Sequence, residues 1–416
     1  MTMAEPLEPV AALPDVEAEP GILTRMTTNL RSGNIGIIPI VVGMIFIVIF
    51  FGFTATNFFT AVNFGNIIIQ MAGTTMLAYG VVFVLLLGEI DLSIGYVAGI
   101  GALTVAELQL PGSGHQYSGL IAMPIAIAVC ALIGLLQGSI VAYVGVPSFI
   151  VTLAGYLIWQ GVILGRLEVP GSIIIQDRWI NYTANYYFSP GKGLLIAGII
   201  TGLYLLAVLL PLRNAHGRRA ARKNWLVTTA KVIGVAVASF GTVLICNHGI
   251  VQDRRLGLPL AGVIMVIFLV LLTFVAKRTT FGRHVYAVGG NAEAARRAGI
   301  NVPRIRIIVF MISSATAAIG GIILAGYVNS VALTFPPGTL LLNSIAAAVI
   351  GGVSLFGGRG EVRGALLGSL VIATVANGLD TAGYSNGTIY IVTGLVLLFA
   401  VTLDTIARRL QVRSGR

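Results

Sequence analysis

The chain has 416 residues, of which 56% are hydrophobic and only 10% are charged. Soluble domains carry about 25% charged residues, so this composition excludes a soluble protein and predicts one whose solvent is largely lipid. The formal net charge is +11. Nucleic-acid binding is not expected, because the basic residues are not interleaved with aromatic residues on a soluble module.

The first twenty residues are acidic and rich in proline. A signal peptide begins with basic residues instead, so we predict a disordered cytoplasmic tail over residues 1–32. The membrane domain is predicted to occupy 33–404, and a short basic cytoplasmic tail follows at 405–416.

Apolar runs recur along almost all of the membrane domain. A helix needs about 20 apolar residues to cross the bilayer, and membrane helices accept glycine and proline. The absence of ten-residue alternating segments argues against a transmembrane barrel. We therefore predict an all-α polytopic membrane protein with about 10–12 transmembrane helices, some of them broken or re-entrant. The predicted spans are 35–54, 66–88, 92–110, 119–144, 148–165, 193–211, 226–247, 257–276, 307–329, 340–356, 364–380 and 388–404.

The basic residues predict the orientation. Eighteen of the 26 Lys and Arg residues fall in four segments beside apolar spans, and cytoplasmic loops carry such an excess. Even numbers of spans separate these segments, so all four lie on one face and both termini are predicted in the cytoplasm. The segments are Arg25 with Arg31, 213–223, 277–306 and 408–416.

The segment 166–192 is then predicted outside the membrane. It holds Trp179 and several tyrosines. These aromatic residues indicate either a belt at the lipid headgroups or a docking surface for an extracellular partner, and the two alternatives can coexist.

The chain shows few signs of chemistry of its own. Cys130 and Cys246 fall within apolar spans and are expected to be buried and unpaired. The four histidines are scattered, and the chain has neither a P-loop nor a nucleophile motif. We therefore expect no enzymatic activity, no catalytic residues, no metal site and no cofactor in this chain. If transport is driven by ATP, that ATP and its Mg²⁺ are bound by another subunit.

The first notable motif is Gly88-Glu-Ile-Asp-Leu-Ser-Ile-Gly95, which lies between two apolar spans. Carboxylates at the bilayer centre are costly, so Glu89 and Asp91 lie either at a membrane face or in a wet cavity. Asp91 and Ser93 suit the start of a helix, which favours a capped helix break. The alternative is a discontinuous helix at a translocation path for a polyhydroxylated solute. The segment Gly358–Gly364 is a weak echo of this motif.

The second motif is the predicted cytoplasmic loop at 277–306. Asn291 can cap a short helix, Glu293 complements its N-terminal dipole, Arg296 complements its C-terminal end, and Gly299 can terminate it. The sequence therefore predicts a two-turn helix that is either a connector or a docking element.

Five blocks of the sequence, in order, resemble the permeases of monosaccharide ABC importers: the ribose, xylose, galactose and autoinducer-type family. The blocks are GEIDLSIG (88–95), VPSFIVTLAG (146–155), FGRHVYAVGGNAEAARRAGI (281–300), IAAAVIGGVSLFGGRGEVRG (345–364) and IVTGLVLLFAVTLD (391–404). The family usually has Gly at position 89, so Glu89→Gly is expected to be tolerated.

The resemblance implies a type II ABC importer permease fold in the bacterial plasma (inner) membrane. It also implies three kinds of protein partner: a second copy of the permease, ATP-binding cassette ATPase subunits and an extracytoplasmic sugar-binding protein. The stretch 193–256 resembles an extra hairpin of xylose-type members, which favours xylose as the solute. Residues expected to couple to the ATPase are Asn291, Glu293, Ala294, Ala295, Arg296 and Gly299. Candidates for the translocation path are Glu89, Asp91, Ser93, Phe149 and Thr152.

Two alternatives remain open at this point. The first is an ion-coupled secondary transporter, for which the candidate ionisable residues are Glu89, Asp91, Glu107 and Asp380. The second keeps the ABC class but changes the solute to ribose, galactose or a nucleoside.

Overall fold

A computed structural model describes residues 38–111, 114, 116–213, 225–248, 257–333 and 337–413. This part of the chain forms fifteen α-helices and two short antiparallel ladders. The first eight helices are α1 (Ile38–Thr54), α2 (Ala61–Leu86), α3 (Ile94–Leu108), α4 (Gly119–Ser139), α5 (Ser148–Leu167), α6 (Arg178–Asn185), α7 (Pro190–Arg213) and α8 (Trp225–Asn247). The others are α9 (Leu260–Arg278), α10 (Thr280–Gly290), α11 (Ala292–Arg297), α12 (Val302–Val328), α13 (Pro337–Ile350), α14 (Val362–Thr381) and α15 (Asn386–Arg413). The strands are β1 (Ser172–Ile174), β2 (Tyr187–Phe188), β3 (Leu258–Pro259) and β4 (Ser330–Ala332).

The predicted spans coincide with apolar helices. Eight helices of the described chain are long and apolar enough to cross a membrane, and α1, α3, α13 and α15 contain shorter apolar stretches. The prediction of an all-α polytopic protein with broken segments is confirmed. Several boundaries differ by a few residues. The largest differences are at α13, which ends at Ile350 and not at 356, and at α15, which continues to Arg413, past the predicted end of its span at 404. The tail 1–32 and nearly all of the basic loop 213–223 lie outside the described residues.

The centre of the fold is the pair α2 and α12. The most apolar part of α2 is 94% buried, and the two backbones approach closely where glycine faces the neighbouring helix. A Cβ on Gly80 of α2 would come within 2.8 Å of the Ser313 Cα on α12. A Cβ on Gly134 of α4 would lie 2.7 Å from the carbonyl carbon of Phe310, also on α12. Small residues permit such close contacts where no hydrophobic effect drives helices together. The helix α12 therefore connects α2, α3 and α4.

The helices α7 and α8 lie at the periphery, in the stretch 193–256 that resembles an extra hairpin. They pack against each other, with Thr201 Oγ1 and Ser239 Oγ 3.0 Å apart. A small apolar cluster joins them to β3 and is formed by Ala197, Val243 and Leu258. Most of their remaining surface is exposed, as expected for helices that face lipid.

The segment between α5 and α7 folds onto one end of α12. β1 pairs with β4, with Ser172 opposite Ala332, and Asp177 caps α6 by accepting the Trp179 N–H at 2.8 Å. The Asn185 side chain donates to the Gly326 carbonyl at 2.6 Å. The sequence did not predict these ladders, because strands of two or three residues have no detectable periodicity.

Both cysteines have the predicted environment. Cys130 and Cys246 are buried and unpaired. They act as small apolar residues within the helix bundle.

Candidate functional site

The chain leaves α2 at Leu86 and begins α3 at Ile94, so residues 87–93 form what we call the first break loop. Gly88 has a φ of +75°, a left-handed conformation that glycine adopts at little cost. Ser93 is the N-cap residue of α3, but its side chain makes no capping bond. The Ser93 N–H, at the start of α3, finds its hydrogen-bond acceptor on a neighbouring residue.

Asp91 is that acceptor. Its Oδ1 accepts the Ser93 N–H at 2.9 Å and the Ser93 hydroxyl at 2.7 Å. Its Oδ2 accepts the hydroxyl of Ser313 on α12 at 3.2 Å. The residue is only 4% exposed, and a buried carboxylate needs such partners. Asp91 therefore anchors the first break loop and the start of α3 to α12.

Gln137 of α4 extends this polar cluster. The Ser93 Oγ lies 3.0 Å from the Gln137 Oε1. A hydroxyl carries one proton, so if Ser93 donates to Asp91, Gln137 has to donate at this second contact. Its amide can do so with the NH₂ group turned towards Ser93, and in the opposite orientation the Gln137 Nε2 has no partner. The resulting chain of bonds links α4, α3 and α12.

The helix α5 holds the other side of the first break loop. The Ser148 Oγ accepts the Ile90 N–H at 3.1 Å. The Thr152 Oγ1 lies 2.8 Å from the Ser148 carbonyl and 3.2 Å from the Ile90 carbonyl. Of the two path candidates on α5, Thr152 is fully buried, whereas Phe149 is half exposed. Thr152 thus contacts the first break loop beside Asp91, whereas the Phe149 side chain is half exposed.

Glu89 has a partner that the sequence did not reveal. Its Oε1 lies 3.0 Å from the Nε of Arg306, near the start of α12. The side chains of Glu89 and Arg306 are only 14% and 29% exposed. The ion pair adds a second connection between the first break loop and α12.

The loop at 277–306 contains the short helix α11. Its N-cap Asn291 accepts the Ala294 N–H at 2.9 Å, as the sequence predicts. At its other end Gly299 has a φ of +83°, and the Ile300 N–H donates to the Ala295 carbonyl at 3.0 Å. This bond pattern is a Schellman motif, which closes the helix.

One face of α11 is open. Glu293, Ala294 and Arg296 are exposed, and Glu293 lies 3.2 Å from Arg297. Ala295 is 4% exposed, so this residue packs inward while its neighbours present the accessible surface. The helix is therefore held on its inner side and free on its outer side in this chain.

A further polar feature lies between α13 and α15. A cavity of about 270 Å³ there is lined by Thr339, Asn343, Tyr390 and Thr393, among apolar neighbours. The Asn343 Oδ1 is buried and has no partner among the residues that the structure describes. No sequence pattern predicts this cavity, because its polar residues are isolated within two apolar spans.

These features define a class. The described chain is a multi-pass α-helical membrane protein with helices separated by glycine-containing break loops, a buried polar cluster around Asp91 and an exposed capped helix, α11. These are features of a transport permease. Residues 63–401 match the family model described as "Branched-chain amino acid transport system / permease component". The chain belongs to this permease family.

Curated relatives cover nearly the whole chain. The xylose transport system permease protein XylH of Escherichia coli K12 is 34% identical over 92% of this chain and 95% of that protein. The ribose import permease protein RbsC of the same organism is 30% identical over 84% of this chain and 87% of that protein. The fructose import permease protein FrcC of Rhizobium meliloti is 28% identical, over 89% of this chain and 86% of that protein. No solved structure matches the chain. The resemblance to sugar ABC importer permeases is confirmed.

Proposed function

We propose that the chain is the membrane-spanning subunit of an ATP-driven importer that passes xylose from a binding protein to the cytoplasm. The observation that carries this proposal is α11, a capped helix fixed to the bundle on one side and exposed on the other. A short, rigid and exposed element of this kind suits contact with a soluble motor subunit. The partner ATPase would bind the ATP and Mg²⁺.

The geometry of α11 supports a docking role over a plain connector. Its two caps hold the backbone in a single conformation, and Glu293 pairs with the arginines of its own helix. The exposed surface is then formed by Asn291, Glu293, Ala294, Arg296 and Gly299. Ala295 supports that surface from the buried side.

Xylose is the proposed solute for two reasons. XylH covers more of this chain, at higher identity, than RbsC or FrcC does. The helices α7 and α8 also occupy the stretch that resembles the extra hairpin of xylose-type members.

The remaining partners follow from the surfaces of the chain. The sugar-binding protein would dock on the segment around α6, where Trp179, Tyr182 and Tyr186 form a row of edge and tilted ring contacts. A second copy of the permease and membrane lipid would cover the exposed apolar faces.

We place the protein in the bacterial plasma (inner) membrane with both termini in the cytoplasm.

Ion-coupled transport is the weaker candidate. Such carriers need ionisable groups free to change their charge within the bundle. Glu89 is paired with Arg306, and Glu107 lies 2.7 Å from Arg166. Asp91 is held by serine donors, and Asp380 is exposed.

Uptake by cells that lack and then regain this gene tests the solute. Labelled xylose should enter only with the gene, and unlabelled xylose should compete better than ribose or fructose. Better competition by ribose would change the solute and leave the class intact.

Orientation is tested by labelling single cysteines with an impermeant thiol reagent. A cysteine at Val169, which is 95% exposed, should react in intact cells. A cysteine at Arg359 should react only after permeabilisation. The reverse pattern would contradict the proposed orientation.

A further inference from the structure

Three segments of the chain meet with no side chain between them. They are the end of α2, the end of α10 and the loop 351–361 between α13 and α14, which we call the second break loop. The Gly358 N–H donates to the Leu86 carbonyl at 2.9 Å. A Cβ on Gly289 would overlap that same carbonyl oxygen and would lie 2.9 Å from the Gly358 nitrogen. We call this backbone contact, made by residues 86–88, Gly289 and 357–358, the glycine junction.

The glycines of the junction are needed for different reasons. Gly88, Gly357 and Gly358 have φ values of +75°, +87° and +70°, so their backbone conformation itself favours glycine. Gly289 belongs to α10 and is not among the positive-φ residues. Glycine is needed at this position only because the backbones of Leu86 and Gly358 lie too close to leave room for a Cβ. The adjacent Gly290 has open space where a Cβ would be placed.

A layer of side chains reinforces the junction. The Tyr286 hydroxyl on α10 donates to the Gly360 carbonyl at 2.7 Å. Burial raises the pKa of Tyr286, so this hydroxyl keeps its proton. Lys277, at the end of α9, lies 5.1 Å from the Tyr286 ring centroid and 3.1 Å from Glu361. The second break loop is therefore held by α9 and α10 together.

The docking helix α11 is joined directly to this junction. A single residue, Asn291, separates the end of α10 from the start of α11. On its other side α11 leads into α12, which carries Arg306, the partner of Glu89 in the first break loop. Both break loops are thus tied to the segments that flank α11. Closely packed backbone transmits displacement because it cannot deform continuously.

We propose that Gly289 and Tyr286 are positioning residues that transmit movement of α11 to both break loops at once. This inference rests on the proposed docking of α11 to an ATPase. The helices α3 and α14 both begin at these loops, so one displacement would move both helix starts together.

The glycine pair in α10 provides a matched test. Alanine is favoured over glycine inside helices, so Gly289→Ala and Gly290→Ala differ mainly in the junction contact. Each variant is compared with wild type in the full complex with ATPase and binding protein. We expect Gly289→Ala to copurify with the ATPase and keep basal hydrolysis, yet to lose sugar stimulation and about tenfold of its uptake. Sugar stimulation and uptake by Gly290→Ala should both stay within about twofold of wild type. Normal stimulation and uptake in Gly289→Ala would overturn the proposal.

Tyr286→Phe gives a second test if Gly289→Ala does not accumulate in the membrane. This change keeps the ring near Lys277 and removes the hydroxyl, which bonds to the Gly360 carbonyl and also interacts with Lys277. We expect unchanged copurification and about a threefold lower ratio of stimulated to basal hydrolysis. An unchanged ratio would overturn the role of Tyr286. Failure of the proposed function would be visible in the wild type itself, as uptake that does not require the ATPase.

Discussion

The two break loops are held in place by different kinds of interaction. The first break loop is held by side chains: the hydroxyls of Ser93 and Ser313 both donate to Asp91, and the Ser148 Oγ accepts the Ile90 N–H. The second break loop depends mainly on its backbone, with positive φ values at Gly352, Gly357, Gly358 and Gly360 and a bond from the Gly358 N–H to the Leu86 carbonyl, which Tyr286 and Lys277 reinforce. Its carboxylate residue, Glu361, is half exposed and paired with Lys277 and Arg363.

This difference shows where each loop tolerates change. Substitutions in the first loop should act by removing hydrogen-bond partners from a buried cluster. Substitutions in the second should act by adding a Cβ where the backbone has no room for it, or where φ is positive.

The largest effect is expected at Asp91. Asp91→Ala leaves the Ser93 N–H and two hydroxyls without their buried acceptor, so we expect a loss of about 3 kcal/mol in the free energy of unfolding. Asp91→Asn keeps one oxygen, and its amide can donate to the Ser313 hydroxyl, so the expected loss is about 1 kcal/mol. Thermal unfolding of the purified protein in detergent measures both. Equal losses in the two variants would show that the hydrogen bonds are unimportant.

The second loop offers a comparison between two glycines. Gly352 and Gly357 have φ values of +84° and +87°, but only Gly357 has neighbours where a Cβ would lie, with the Gly289 oxygen at 2.7 Å. Gly352→Ala should cost about 1 kcal/mol through backbone strain, and Gly357→Ala should cost about 2 kcal/mol. The same unfolding assay applies. Equal costs would remove the evidence for close contact.

Glu89 tests whether charge matters in the first loop. Glu89→Gly leaves Arg306 partly buried and unpaired, so we now expect a loss of about 1 kcal/mol in stability. A double-mutant cycle with Glu89→Gln and Arg306→Gln should give a larger coupling energy than the exposed pair Glu361 and Arg363, which we expect at about 0.3 kcal/mol. A coupling energy no larger than that of the exposed pair would support the original expectation of tolerance.

The smallest effect concerns pH at Glu361. Burial alone would raise the pKa of this carboxyl, but hydrogen bonds from Lys277 and Arg363 lower it below its ordinary value of 4.5. A lowered pKa in the folded state stabilises the protein fully above pH 4.5, and this stabilisation is lost as the pH falls through the folded pKa. The stability difference between wild type and Glu361→Gln should therefore be constant from about pH 6 to 8 and shrink in acid. A difference that changes between pH 6 and 8 would indicate another group.

Local signals allowed much of this molecule to be predicted. Apolar length located the spans, and the caps of α11 follow from Asn291 and Gly299 at fixed offsets. The partners of the first break loop could not be predicted, because Arg306 and Ser313 are distant in sequence and meet it only through packing of α12. The sequence likewise shows that glycine is present at 88, 289 and 357, but not which of these glycines needs a positive φ and which needs close contact.

The most direct test of the account is transport by the purified complex in proteoliposomes. The chain is reconstituted with its ATPase and sugar-binding protein, and labelled xylose is supplied on the binding-protein side with ATP on the other. We expect uptake that requires ATP and survives ionophores that collapse ion gradients. Uptake should be lost with Glu293→Lys, which places a cation at the positive end of α11. Uptake that persists without ATP and stops with the ionophores would contradict the account.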